Sequence, residues 1–239
     1  MIWLENTPNY AGVYLSGDQN DLASLNEAIN LVVGEEGEYP GYEHVRLRIL
    51  GLCDELYKAA MGDREVILVP IFQERGNMSV LPVDSTRNNV YFQVRVTWPD
   101  LLFLGFVLND FIELSAKHRQ HFWDSTPARI RQFQSVIGEC LENTVGEHKF
   151  RLLKGSLTPN YIGYYENYVT QYIDYLNIEF LKMDKDKRLA HVSIAAKRVA
   201  NRDSKYVKIK GRIEMLAMQE GVSLSTIEYP GSYPEEFEW

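Results

Sequence analysis

The chain has 239 residues, 45% hydrophobic and 24% charged, proportions of a folded soluble protein that argue against disorder outside the ends. A net charge of −8 conceals an uneven distribution: segment 185–212 holds ten of the 25 Lys and Arg residues but only two of the 33 acids, Asp186 and Asp203, a local +8 against −16 elsewhere. The longest apolar run, residues 101–108, is closed by Asp100 and Asn109-Asp110, far short of the ~20 residues of a membrane span.

At the N-terminus, residues 1–6 have neither a basic region nor an apolar run. No signal peptide is therefore expected, and a cytoplasmic location is. Residues 13–15 predict a short strand, ended by Ser16-Gly17-Asp18. Leu22, Leu25, Ile29 and Val32 then recur at helical spacing after a capping-type Asp21. Gly34, Gly37, Pro40 and Gly41 mark an acidic loop. Val45, Ile49, Leu52, Leu56 and Ala60 share the face of a second helix, with Gly62 as its stop. Residues 65–72 are rich in strand formers, and Pro70 predicts an edge or a strand end. The clearest strand is 89–98, where Val90, Phe92, Val94, Val96 and Trp98 alternate with Tyr91, Gln93, Arg95 and Thr97. Pro99-Asp100 breaks it and opens a helix at Leu101, apolar on nearly all sides and so expected at the centre of the fold.

From Ser125 onward the signals are helical. Thr126-Pro127 and Thr158-Pro159 each place a hydroxyl cap before proline. Ile130, Phe133, Ile137 and Cys140 mark the first of these helices. The second, with Leu157 and Ile162 as a staple, runs to about Met183. Residues 184–201 and 204–220 predict two more helices joined by a polar turn, an αα-hairpin. Its seams are Leu189, Val192, Ala196 and Val199, then Tyr206, Ile209, Ile213 and Leu216. Cys53 and Cys140 lie in helical apolar patterns without a CxxC, as expected of buried thiols in a reducing compartment.

The expected class is α+β: a small antiparallel sheet with helices over residues 1–124, then a helical, bundle-like half over 125–222. The basic hairpin spans 184–220 and an acidic tail 223–239, all in one continuous domain. Several segments resemble a bacterial domain-of-unknown-function family over nearly the whole chain. They are residues 6–13 with Ser16-Gly17-Asp18, Arg46, Arg48, residues 50–53 and 62–65, Trp98-Pro99-Asp100-Leu101-Leu102-Phe103, and the closing residues 233–239. The resemblance implies a bacterial cytoplasmic protein. That family brings no established activity, so no catalytic residue is carried over.

Three constellations stand out. In the hairpin, Arg188, His191, Arg198 and Arg202 form a stripe beside one apolar seam, and Lys205, Lys208 and Arg212 form one beside the other. Such a surface suits a protein partner, nucleic acid or another polyanion. The plainer reading is a solvated face neutralised by the chain's own acids, including the Glu235-Glu236 tail. Second, Tyr161, Tyr165, Tyr168, Tyr172 and Tyr175 make a heptad-like seam, read first as internal packing and second as a partner or homo-oligomer interface. Third, His118 and His121, near Asp110, Glu113 and Asp124, are the only metal-type spacing, and a polar helix end explains them as well. Glu147-His148-Lys149 with Asp84 matches a nuclease pattern too common to carry weight. No GxSxG, GxGxxG or phosphate loop occurs. No metal or cofactor is therefore expected. The expected function is a non-catalytic binding or interaction protein; nucleic-acid binding through the same hairpin is the alternative, and an enzyme with a spatially assembled site the third.

Overall fold

The computed structural model describes residues 1–70, 88–118, 123–157 and 168–239. Four strands make one antiparallel sheet: β1 Trp3–Asn6, β2 Gly12–Gly17, β3 Glu65–Pro70 and β4 Asn88–Thr97, in the order β1-β2-β4-β3. β3 is an edge strand with Pro70 as its last residue, where a missing N–H costs least. Val13 pairs with Val96 and Leu15 with Val94, and all four are buried. Gly12 pairs with Thr97, and a Cβ there would lie 1.9 Å from the Val96 carbonyl oxygen, so only glycine lets β2 approach β4 this closely.

The helices are α1 Gln19–Val33, α2 Glu43–Ala60, α3 Trp98–His118, α4 Ser125–Val145, α5 Glu147–Lys154, α6 Tyr168–Leu181, α7 Lys185–Asn201 and α8 Ser204–Glu220. A short 3-10 turn, Leu224–Thr226, begins the C-terminal tail. The cap of α1 is Asp18, not Asp21. Asp18 accepts from the Asp21 N–H at 2.8 Å and the Asp21 carboxylate accepts from the Asp18 N–H at 3.2 Å, a reciprocal box. Gly62, with φ 86°, follows the end of α2 as expected.

Trp98 is already helical, so the strand stops one residue early and α3 begins three residues before Leu101. Pro99 fits the first turn, where its absent N–H would have had no helical acceptor. Trp98 is fully buried, and its indole N–H donates to Asn6 Oδ1 at 3.1 Å. α3 is the central helix: Leu101, Phe103, Val107, Leu108 and Phe111 are all buried, and it packs against α1, α4, α6 and α7. Asp124, not Thr126, occupies the N-cap position of α4. The start at Thr158-Pro159 and the staple to Ile162 lie outside the described residues. β1 and α5 have no counterpart in the sequence reading. One core, running from Val13 in β2 to Ile227 in the tail, joins the sheet to all the helices. Among the described residues no helix is long and apolar enough to cross a membrane.

Candidate functional site

The hairpin is built by two aspartate caps. Asp184 accepts from the Lys187 N–H at 3.0 Å at the start of α7. Arg202 closes that helix in the left-handed region, φ 48°, and Asp203 opens α8 by accepting from the Lys205 and Tyr206 N–H groups at 2.9 and 3.4 Å. Val192, Ala196 and Val199 on α7 and Tyr206, Ile209 and Ile213 on α8 are buried, so both seams face the core.

The cations between them are not equivalent. Arg188 is not on the surface: it is 4% exposed and donates to the carbonyls of Leu181 at 2.7 Å, Glu238 at 2.6 Å and Asn9 at 3.3 Å. Burial pulls its guanidinium below its ordinary pKa, and the Glu238 and Asp184 charges pull back. Arg188 is thus the clasp that ties the C-terminal tail and the β1–β2 turn to α7, a correction to its assignment as a ligand contact. Arg198 pairs with Asp203 at 3.3 Å, Lys187 with Asp184 at 2.7 Å and Lys210 with Glu214 at 3.9 Å. Arg202 lies over the Tyr206 ring at 5.9 Å and Lys185 over Tyr10 at 5.8 Å. The His191 ring sits 2.8 Å from the Lys187 carbonyl.

Lys197 on α7 and Lys205, Lys208 and Arg212 on α8 are exposed and make no ion pair with a described carboxylate. α5, which packs against α7, adds Lys149, Arg151 and Lys154, also exposed and unpaired among the described residues. The tail does not neutralise them. It docks by backbone and rings, through the Arg188 clasp, a bond from the Asn9 N–H to the Trp239 carbonyl at 2.9 Å, and Trp239 under Arg95. Glu235 and Glu236 stay exposed. Beside the cations of α8 run Val207, Met215 and Met218, which are 65%, 51% and 85% exposed.

Tyr161 and Tyr165 lie outside the described residues. Tyr168 and Tyr172 are buried on α6 against α8, which agrees with the first reading of the seam, internal packing, and corrects the second, an interface, at these two positions. The Tyr172 hydroxyl donates to Asp203 at 2.9 Å, and burial, then this bond, raise its pKa. Tyr175 stacks on Tyr172, with ring centroids 6.2 Å apart, and meets Tyr229 of the tail edge-on. Of the metal-type pair, His121 lies outside the described residues and the side chain of His118 is not described. Among the described residues no three His, Cys, Asp or Glu side chains could hold a metal ion.

Sequence reasoning missed a polar cluster where α2, α3, α6 and the tail meet. Arg48 donates to Asp100 Oδ1 through Nε at 2.9 Å and to Asp174 Oδ1 through Nη1 at 2.9 Å. Asp100 Oδ2 accepts from Thr97 Oγ1 at 2.9 Å and Asn177 Nδ2 at 2.8 Å. The Tyr233 hydroxyl donates to Asp174 Oδ1 at 2.9 Å. Burial opposes the Arg48 charge, but the Asp100 and Asp174 carboxylates outweigh it and raise its pKa. Burial likewise pushes the Tyr233 hydroxyl up to about 12. The only sequence signal for this cluster is that Arg48, Asp100 and Tyr233 come from three of the segments that carried the family resemblance.

No curated protein and no solved structure matches the chain. A family profile, described as Domain of unknown function (DUF6904), matches residues 2–239, nearly the whole length. The chain therefore belongs to this family of proteins of unknown function.

Proposed function

We propose that the protein is a non-catalytic binding protein of the bacterial cytoplasm whose α7–α8 surface takes an acidic protein partner. The observation that carries this reading is the set Lys197, Lys205, Lys208 and Arg212, exposed and without a described carboxylate to neutralise them. Charges left unmatched by their own molecule attract and orient a partner of opposite sign. Val207, Met215 and Met218 add exposed apolar contacts on the same helix. Methionine adapts its shape to an apolar ligand, and apolar anchors within a charged rim are what protein interfaces use. Nucleic-acid binding, the second reading, draws on the same cations, since lysines and arginines on one face neutralise phosphates.

Fluorescence anisotropy separates the two. The probes are an acidic amphipathic helical peptide, a DNA duplex and a single strand, each titrated with the protein across a salt series. The peptide is expected to bind, more weakly as salt rises, with the Lys205→Glu/Lys208→Glu/Arg212→Glu variant about tenfold weaker. Tighter binding of either nucleic acid, with a steep salt slope, would favour the second reading. No binding of any probe at low salt would overturn both.

A further inference from the structure

A second candidate site lies where the C-terminal tail passes α6. The C-terminal tail, leaving α8 and crossing α6, borders an open cleft of about 400 Å³ whose walls include His44, Gln171, Asp174, Glu228, Tyr229 and Tyr233. That volume is within the range of small-molecule sites, roughly 300–1,000 Å³. We propose that this cleft binds a small organic cation with N–H donors, an alkylammonium or guanidinium group.

The charge balance points that way. One cation, Arg48, is shared between Asp100 and Asp174, and Glu228 at the cleft makes no ion pair with a described residue. No Lys or Arg lines the cleft; Arg212 acts on Tyr229 from outside it, and an anion entering would meet Glu228, unpaired among the described residues, and Asp174, which shares its one cation with Asp100.

The hydrogen-bonding inventory agrees. Asp174 Oδ1 is occupied by Arg48 and Tyr233, while Oδ2 accepts no bond from a described group. Gln171 is 5% exposed; its Nε2 donates to the Ile227 carbonyl at 2.6 Å, and its Oε1 is buried without a partner among the described residues. A wall with spare acceptors is completed by a ligand that brings donors. Tyr229 and Tyr233 supply aromatic surface, which attracts cations. A bound divalent metal is the poorer fit, because no three ligating side chains converge among the described residues.

Isothermal titration of the full chain with 1,4-diaminobutane and with ethylguanidinium tests the assignment, 1,4-butanediol being the neutral control. At least one cation is expected to bind saturably with Kd at or below about 1 mM, and the diol is not. Glu228→Gln, at an exposed residue, is expected to weaken that binding by about two- to fivefold while leaving the fold intact. Asp174→Asn, with folding checked by circular dichroism, is expected to weaken it further. The proposal is overturned by any of three results: no saturation by either cation up to about 10 mM, equal binding of the diol, or unchanged affinity in Glu228→Gln.

Discussion

Burial decides what individual side chains can do here. Arg188 and Arg198 sit on the same helix, yet one is a clasp under the tail and the other half-exposed beside Asp203. The cysteines illustrate the same rule in their ionisation. Burial pushes the Cys53 thiol from 9.0 up to about 12 and the Cys140 thiol up to about 11. Below pH 9 both states keep these protons and pH has no effect through them. As pH rises from 9, the unfolded chain loses its thiol protons first, so stability falls by about 1.4 kcal/mol per pH unit per thiol until the folded value is reached. Urea unfolding between pH 8 and 11 is therefore expected to show a shallower loss for Cys53→Ala than for the natural chain. Parallel curves would contradict it. Burial of both cysteines was legible from the apolar patterns around them; the depth of Arg188 was not. Its three carbonyl acceptors are brought in by Asn9, Leu181 and Glu238, and helical spacing alone puts an arginine on a stripe without saying what lies across from it.

At the level of elements, chemistry written at the ends was the most readable. Gly62 stops α2, and α8 begins where the sequence predicts, at Ser204, capped by Asp203. Elements too short to show a period were not read: β1 has four residues, and α5 has eight with only one buried. Asp203 joins three of these units, because one carboxylate caps α8, accepts from the buried Tyr172 hydroxyl of α6 and pairs with Arg198 of α7. Asp203→Ala removes the cap and leaves a buried hydroxyl without its acceptor, an expected loss of about 2–4 kcal/mol. Asp203→Asn keeps both acceptor roles and should lose less than half as much. Chemical denaturation of the two variants measures this, and a loss under about 1 kcal/mol for Asp203→Ala would refute the junction.

For the whole molecule, the α+β class and the central position of α3 were legible because alternation in β4 and all-round apolarity in α3 are strong local patterns. The Arg48 cluster was not, because its members are separated by 52 and 126 positions along the chain and no spacing rule reaches that far. Charge segregation was visible as composition; only the fold shows that α7 and α8 use some cations internally and leave Lys197, Lys205, Lys208 and Arg212 exposed. The tail docks by its backbone and rings and leaves Glu235 and Glu236 exposed, without an ion pair to those cations among the described residues. The most direct check is quantitative co-purification from the native cell, comparing the natural chain with Lys205→Glu/Lys208→Glu/Arg212→Glu at equal expression and matched circular dichroism. A partner present with the natural chain and depleted about tenfold or more with the variant is the predicted result; equal recovery from both would show that the basic face is not where the molecule makes its contact.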